Sequence, residues 1–463
     1  MRIFLNSSSM MRRDRMTKKF ITLNRSDRLF LAMNHVVSPL GMLITMRFKE
    51  KHRVDEIKDA ARFLLDIYPR LRSVIEPTLF SYRFRIIENE SRINLLFNDA
   101  FRVRAGIQHN SRDYFEYRRF LLNEAFELAY RLPVKFSYLP DSSGPVLFIQ
   151  VHHVAGDGMS LVQMMNALVA YMNDRPVPAV TEGNISFNRL LYETPFWKIP
   201  GQLCRCFKLL YEEKKRTEKD IVFQAADHSD YFGPADVFQN ELPQRLDVLK
   251  QKSKDLSISV TMLLLAALGV ALGKKAGQNN GEVIGIMISM DLRPFIKSDT
   301  PLFGNYVKAF MVRINVDDIG APLTIIGNIK KQMLEFRRQV TDKEIVASCL
   351  KDELFLGFGH KLFARGINAV KKKGHFQMTC HQSNLGNLDM LNNHGDKAQV
   401  SEAIAIVQHT GFFMSVSSID NDVITSFSYP EAEFSKEGVD EIAGEFNRTL
   451  GDFLLLSPLA VET

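Results

Sequence analysis

Residues 144–158 read GPVLFIQVHHVAGDG, and this stretch decides the fold. The run of branched and aromatic side chains over residues 144–153 predicts a strand buried in a covered sheet. The glycines and aspartate that follow predict a turn, and residues 159–172 then carry the apolar pattern of a helix. Because functional groups concentrate where strands of α/β folds end, the histidine pair after this strand marks a candidate site.

Outward from this stretch, helical and extended patterns alternate along the chain. Helices are predicted at 54–68, 114–128, 257–275, 323–340 and 435–453, and strands at 283–290, 307–316, 376–380, 412–418 and 423–429. On the second of these helices we expect Arg118 and Arg119 to be exposed. The alternation favours an α/β (α+β) fold with a layered unit in each half.

Composition sets broad limits on the kind of protein. The chain has 463 residues, of which 46% are hydrophobic and 24% charged, and these globular values exclude disorder of the whole chain. Residues 1–30 hold eight bases and two acids, which is the entire net charge of +6. The remaining chain is neutral and lacks the basic stripe of a nucleic-acid binder, so no nucleic-acid partner is expected.

Four regions follow from these patterns. They are a flexible basic N-terminus (1–20), a first half with the histidine pair (21–193), a connecting segment (194–243) and a second half (244–463). Within the connecting segment, residues 196–218 are basic and amphipathic and contain Trp197, the single tryptophan. We expect a solvated linker helix there, and a helix lying on a membrane surface is the alternative.

The sequence also carries signals of location. Its longest apolar stretch, 258–272, is shorter than the roughly 20 residues that cross a bilayer, so no transmembrane segment is expected. No convincing signal peptide follows Met1. Four cysteines in a chain of this length form no disulfide framework and no zinc-spaced set, which favours a reducing cytoplasm. A monomer is expected.

Known nucleotide-binding and hydrolase motifs are not matched, and the motif His152-His153-x-x-x-Asp157-Gly158 remains. Adjacent strand residues point to opposite faces, so the two histidines cannot easily share a metal ion, and none is expected. Two interpretations stay open. The pair can be core histidines beside a glycine turn, or one imidazole can act as a general base near neutral pH.

This motif after a buried strand resembles that of the CoA-dependent acyltransferase superfamily, with its chloramphenicol acetyltransferases, alcohol O-acetyltransferases, polyketide-associated acyltransferases and condensation domains. The alcohol acetyltransferase branch fits best. Further segments are similar too: Asp27-Arg28-Leu29-Phe30, Ser259-Val260-Thr261, Asp291-Leu292-Arg293-Pro294, Phe303-Gly304-Asn305-Tyr306 and Ser383-Asn384-Leu385-Gly386. The resemblance implies two chloramphenicol-acetyltransferase-like halves that form a V with a tunnel between them.

The resemblance also implies roles for individual residues. His153 would be the general base, and Asp157 a structural residue paired with an arginine of the second half. Arg293 is the candidate, because a buried carboxylate needs a partner and a guanidinium binds it bidentately. His152 would support the loop, and Gly158 would allow a tight turn into the helix. Asn305, Ser383 and Asn384 are weak candidates for substrate contact.

The implied reaction moves an acyl group from acyl-CoA, a co-substrate, to the hydroxyl of a small hydrophobic alcohol, with no bound cofactor. Formation of an amide or ester from a carrier-bound acyl thioester, as in condensation domains, is the alternative. A catalytically silent binding protein with the same fold is the third possibility.

Overall fold

The computed structural model describes residues 20–34, 40–78, 81–140, 144–177, 180, 194–217, 219–223, 234–277, 281–296, 298, 300–346, 360–372, 378–408 and 411–457. Its strands are β1 (Phe20–Thr22), β2 (Gly41–Phe48), β3 (Ser73–Pro77), β4 (Tyr82–Ile86), β5 (Phe101–Val103), β6 (Val134–Leu139), β7 (Val146–His152), β8 (Ala235–Glu241), β9 (Val283–Asp291), β10 (Val307–Asn315), β11 (Cys380–Asn387), β12 (Val400–Val407), β13 (Phe413–Ile419) and β14 (Asp422–Pro430).

The helices alternate with these strands. They are α1 (Arg25–Asn34), α2 (Val54–Ile67), α3 (Glu90–Ala100), α4 (Arg112–Asn123), α5 (Gly158–Met172), α6 (Ile199–Thr217), α7 (Leu246–Asp255), α8 (Val260–Ala276), α9 (Pro322–Thr341), α10 (His360–Lys372) and α11 (Lys436–Leu454). The predicted mixed α/β fold is confirmed.

The first half is built on a five-stranded sheet in the order β12-β2-β7-β6-β5. Every residue of β7 is buried, because both faces of the sheet are covered. One face packs against α2 and α5. The other packs against α4 and against strands of the second half, with Phe148 beside Tyr114. This double cover explains the unbroken apolar run of β7.

The second half is built on a six-stranded sheet in the order β10-β9-β11-β13-β14-β8. Its main core lies where α7, α8, α9 and α11 cover one face of the sheet. Ser259 caps α8 by accepting a hydrogen bond from the N–H of Met262, and eleven successive residues of this helix, from Leu263 to Gly273, are buried. The predicted helix at 257–275 is therefore the central helix of the second core.

Two strands cross the boundaries expected from the sequence. β12 belongs to the second half in sequence and pairs antiparallel with β2 of the first sheet. β8 lies in the segment predicted as a connection and pairs with β14 at the edge of the second sheet. The expected N-terminal region lies outside the described residues except for Phe20. The two halves are thus interleaved rather than joined by a simple linker.

Two expectations about single elements are wrong. Arg118 is buried rather than exposed, and its guanidinium donates to Gln239 Oε1 and to the Val237 carbonyl across the interface between the halves. Residues 376–377 of the strand expected at 376–380 lie outside the described residues, and the described strand begins only at its last position and runs over Cys380–Asn387, where most of the residues are polar. Most residues of that strand are only partly buried, so its sequence lacks a continuous apolar run.

Among the described residues, no single helix is long and apolar enough to span a membrane. Helices α7 and α8 reach the required length and apolar character only when taken together, and the chain bends by 93° between them.

Candidate active site

The motif lies where β7 ends at His152 and α5 begins at Gly158. His152 is fully buried, whereas His153 is partly exposed. His153 is the first residue after the strand and begins the turn that leads to α5. The end of the strand therefore places two identical side chains in different surroundings.

Both ring nitrogens of His152 are occupied by neighbouring groups. Its Nδ1 accepts the N–H of Val154 at 3.0 Å, and its Nε2 lies 2.9 Å from Asn34 Oδ1. Because Nδ1 is an acceptor, Nε2 carries the proton and donates to Asn34. Burial lowers the pKa of His152 from 6.5 to about 3. His152 is thus a neutral residue that fixes the turn after β7.

His153 is held on one face and at one nitrogen. The ring of Phe30 from α1 stacks on the imidazole with a centroid distance of 3.6 Å and an angle of 16°. His153 Nδ1 lies 3.2 Å from Asn305 Oδ1. Burial lowers the pKa of His153 below 6.5, while hydrogen bonds and the charge of Asp157 offset part of this effect. The imidazole is therefore neutral at pH 7.

The amide of Asn305 determines which nitrogen of His153 carries the proton. Its Nδ2 faces acceptors only, namely Asp27 Oδ1 and the His153 carbonyl, both at 2.8 Å, and the Val154 carbonyl at 3.3 Å. This arrangement fixes the amide with Oδ1 toward the imidazole, so His153 Nδ1 must be the donor. The lone pair of the neutral ring then lies on Nε2.

A buried ion pair supports this amide from behind. Arg70 Nη1 donates to Asp27 Oδ1 at 2.9 Å, and both side chains are at most 2% exposed. The Asp27 carboxylate also accepts the backbone N–H of Asn24, whose side-chain oxygen accepts the N–H of Asp27 in return. Since a buried carboxylate is costly without such partners, this network holds Asp27 in place under Asn305.

Asp157 and Arg293 form the ion pair expected from the sequence. Arg293 donates to the two carboxylate oxygens at 2.9 and 3.0 Å. Asp157 also accepts the N–H of Ser160, as the cap of α5, and the N–H of Tyr306. Its oxygens are therefore taken up by arginine and backbone donors, which suits a structural role rather than that of a base.

Further bonds join the start of α5 to the loop before β10. Ser160 Oγ donates to the Gly304 carbonyl and accepts the Gly304 N–H, both at 2.9 Å. Arg293 donates to that same carbonyl and to the carbonyl of Leu302. The halves are thus fastened directly beside the histidine pair, and the loop that presents Asn305 is fixed by the same contacts.

The expected turn role of Gly158 is not what the structure shows. Gly158 is the first residue of α5 and does not have a positive φ angle. A Cβ atom there would lie 3.1 Å from Leu385, and one at Gly156 would lie 2.7 Å from the Cβ of Ser160. Close packing, most severe at Gly156, is therefore the reason for glycine in this loop.

Ser383 and Asn384 lie on β11 near the second-half side of the motif. Asn384 donates to Thr261 at the start of α8 and accepts the N–H of Gly386, so it stabilises a bulge in β11. Ser383 lies beside Ser415 of β13 in the parallel register. None of the hydrogen bonds described for these two residues reaches His153, and their contact with substrate stays a prediction.

Sequence patterns did not assign roles to the residues that surround His153. Asp27, Phe30 and Asn34 all lie on α1, where Asn34 contacts His152, and Arg70 lies in the turn before β3. The available signal was the Asp27-to-Phe30 segment, which carries both the carboxylate and the stacking ring.

Two cavities lie near these elements. One of about 400 Å³ borders Arg293, and one of about 900 Å³ lies between α6, α9 and the strands β9 and β10. His153 lines neither of these two, so the interfacial tunnel stays a prediction. Across the described residues, His, Cys, Asp and Glu form no group of three or more that could hold a metal ion.

Solved structures share this architecture. Trichothecene 15-O-acetyltransferase TRI3 from Fusarium sporotrichioides aligns with a TM-score of 0.68 at 11% identity, over 93% of this chain and 95% of that one. The first condensation domain of the CDA synthetase aligns with a TM-score of 0.63 at 13% identity, over 95% and 97%. A starter condensation domain of rhizomide synthetase in complex with C8-CoA gives 0.62 at 11%, over 98% of each chain.

Sequence comparison gives less. No family model matches the chain. Bacitracin synthase 1 from Bacillus licheniformis is 21% identical over 322 residues, which are 66% of this chain, and the chain spans only 6% of the length of that protein. The solved structures show that the chain has the fold shared by an O-acetyltransferase and by condensation domains. The resemblance seen in the sequence is thereby confirmed at the level of the fold.

Proposed function

We propose that this protein is an acyltransferase that moves an acyl group from acyl-CoA to the hydroxyl of a small hydrophobic alcohol, with His153 as general base. The observation that carries the proposal is the state of the His153 ring. Its Nδ1–H donates a hydrogen bond to Asn305, Phe30 stacks on one face of the ring, and the lone pair lies on Nε2. A neutral imidazole fixed in this tautomer can take a proton from a bound hydroxyl.

In the proposed reaction, His153 Nε2 removes the hydroxyl proton while the oxygen attacks the thioester carbonyl. A tetrahedral oxyanion forms, and its collapse breaks the carbon–sulfur bond. The imidazolium then returns the proton to the departing CoA thiolate, so that an ester and free CoA leave. The lowered pKa of His153 favours this return, because burial makes the charged ring a good proton donor.

The choice of substrates rests on two kinds of support. An acyl-CoA donor agrees with the C8-CoA complex of the rhizomide synthetase domain, which has the same fold. A hydrophobic acceptor agrees with the composition of the chain, which contains 34 Phe and 19 Met and has a neutral body. As proposed, the reaction needs neither a metal nor a bound cofactor.

A condensation-type reaction is the second candidate. It is favoured by the similarity to condensation domains and to one portion of Bacitracin synthase 1. There the donor would be a carrier-bound acyl thioester and the acceptor an amine or alcohol. The same imidazole would serve, because the base does not distinguish the two thioesters chemically.

Release of free thiol distinguishes these functions. The chain is incubated with acetyl-CoA or octanoyl-CoA and with alcohols of rising chain length, amines, a sugar and an amino acid. Thiol release that rises with the chain length of the alcohol is the expected result. Release only from a carrier-bound thioester would favour condensation. Binding of acyl-CoA without any release would indicate a silent binding protein, and preference for a charged acceptor would contradict the hydrophobic alcohol.

A further inference from the structure

Helix α6 and the residues before it carry an aromatic face that no described part of the chain covers. Of the seventeen large hydrophobic side chains exposed among the described residues, five lie within residues 196–211. They are Phe196, Trp197, Phe207, Leu209 and Tyr211, with exposed fractions between 41% and 77%, and of these only Leu209 lines the cavity between α6 and α9. Single exposed apolar residues are ordinary, but such a concentration marks a surface that binds something.

The opposite side of α6 fixes the helix to the second half. Cys206 is buried, and Glu213 receives two hydrogen bonds from Arg313 of β10. Arg313 also pairs with the buried Asp220 just beyond the helix. Because the inner side is held by these contacts, the outer side has a defined orientation.

The outer side forms one stripe along the helix. Cys204, Phe207 and Tyr211 follow one another at intervals of three and four residues, which places them on a common face. Lys208 and Lys215 lie on the same face, and the ammonium of Lys215 sits 4.8 Å from the centre of the Tyr211 ring. We call these five residues, together with Phe196 and Trp197 at the start of the helix, the α6 face.

Charge identifies the kind of surface that fits. Residues 196–217 contain six bases and two acids, a local net charge of +4 in a body that is neutral in total. Of the two acids, Glu213 is bound to Arg313, and Glu212 lies 4.0 Å from Lys208. Aromatic side chains flanked by lysines are typical of helices that lie in the plane of a membrane with anionic headgroups.

We propose that the α6 face binds the surface of an anionic lipid bilayer. Phe207, Tyr211 and Trp197 enter the boundary between headgroups and acyl chains, while Lys208 and Lys215 contact the phosphates. The helix lies flat, since its inner side stays bound to the second half. The proposal concerns attachment at the membrane surface only and is independent of the acyl-transfer reaction.

The native chain carries its own reporter for this binding. Trp197 is the single tryptophan and is 67% exposed. The full chain is mixed with vesicles of phosphatidylcholine alone or with added phosphatidylglycerol, and flotation and tryptophan emission are recorded. We expect flotation with the anionic vesicles, a shift of the emission to shorter wavelength, and reduced quenching by acrylamide. Absence of flotation, or flotation with unchanged emission, would overturn the proposal.

Variants test which residues are responsible. Phe207→Ser with Tyr211→Ser is expected to abolish flotation. Lys208→Gln with Lys215→Gln should weaken binding about 30-fold, since each base near an anionic surface strengthens binding about 5-fold. The matched control is Phe120→Ser with Tyr130→Ser, two exposed aromatic residues elsewhere, which should float as the native chain does. If the control variant lost flotation to the same extent, binding would not depend on the α6 face.

A protein partner is the competing occupant, and a second copy of the chain is its simplest form. Sedimentation velocity without lipid measures this directly. Two results together would show that the membrane proposal is wrong and that the α6 face is a protein interface. The native chain would form a dimer and fail to float, and the variant with Phe207→Ser and Tyr211→Ser would be a monomer. Far-ultraviolet circular dichroism establishes that the variants are folded in each case.

Discussion

The two histidines at the end of β7 lie in very different surroundings. On the inner side, His152 lies fully buried, and Asn34 and the Val154 N–H occupy both of its ring nitrogens. On the outer side, His153 is partly exposed, and Asn305 is bonded to one nitrogen. The two histidines have the same ordinary pKa, and burial lowers both.

This difference shows what makes an imidazole available for chemistry. A ring with both nitrogens bonded to protein groups can orient a loop but has no lone pair to offer a substrate. A ring with its proton fixed on Nδ1 keeps its lone pair on Nε2. The last residue of β7 and the first residue of the turn thus provide both states in one dipeptide, so the roles of the pair can be separated by substitution.

The largest expected effect comes from the outer side. His153→Ala should lower turnover about 10²- to 10⁴-fold, because a general base contributes that much. The melting temperature should change little, since the ring is partly exposed and packs on one face only. Thiol release and thermal unfolding measure the two effects, with Phe120→Ser as a folded control. Full turnover in purified His153→Ala would show that His153 is not the base.

The next largest effect is expected from the ion pair of Asp157 and Arg293, which fixes the loop after the two histidines. Asp157→Ala and Arg293→Ala should each lower the free energy of unfolding by about 3–5 kcal/mol, as breaking a buried pair does. Arg293→Ala should be the more damaging, because Arg293 keeps Asp291 at 2.9 Å when Asp157 is removed. Denaturant unfolding measures these values.

The double variant tests the pairing itself. Because the two side chains contact each other, its loss should be well below the sum of the single losses. Turnover should fall with stability as the loop beside His153 loosens. Strictly additive losses, or an Asp157→Asn chain with native melting temperature and turnover, would contradict the role of the pair.

This pair also shows how far sequence reasoning reaches. Asp157 follows a continuous apolar run, so its burial was predictable, and a buried carboxylate requires a cation. Arg293 follows a predicted strand of the other half, which made it a testable partner. The strand, turn and helix around the motif were predictable for the same reason, since residues 144–172 carry a local pattern.

Other features depend on contacts that no local pattern encodes. β12 pairs with β2 over some 350 residues of intervening sequence, and its apolar run would fit either sheet. Asn305 lies in a loop, where an asparagine ordinarily stabilises a turn, and only its three acceptors in the folded chain reveal that it orients His153. Asp27 and Arg70 pair between a helix and a distant turn.

A smaller effect is expected from Asn305, which distinguishes the outer ring from the inner one. Asn305→Ala removes the acceptor that holds His153 Nδ1–H, and turnover should fall about 10-fold, comparable to the loss of one hydrogen bond. Asn305 also favours the protonated ring, so its loss lowers the pKa of His153 further. Turnover of the native chain falls as the pH drops below 6.5 through this lowered pKa, and in the variant the fall should begin at lower pH.

A pH profile of turnover distinguishes this positioning role from a structural one. Simple loss of stability would lower turnover at every pH and leave the position of the acid limb unchanged. A variant with the native acid limb would therefore show that Asn305 does not control the proton on His153.

The smallest effect belongs to the inner ring and appears in stability rather than rate. The unfolded chain protonates His152 near pH 6.5, whereas burial lowers the pKa of the folded residue to about 3. Between these values the unfolded state binds the additional proton, so stability falls as the pH falls. From pH 6.5 to about pH 5.5 this residue lowers the free energy of unfolding by about 1 kcal/mol.

In His152→Gln, whose amide can still donate to Asn34, this part of the pH dependence should vanish, whatever the absolute stability of the variant. Denaturant unfolding at the two pH values gives the slope for both chains. Equal slopes of unfolding free energy against pH would mean that His152 titrates normally in the folded protein. The proposed difference between the two histidines would then not hold for His152.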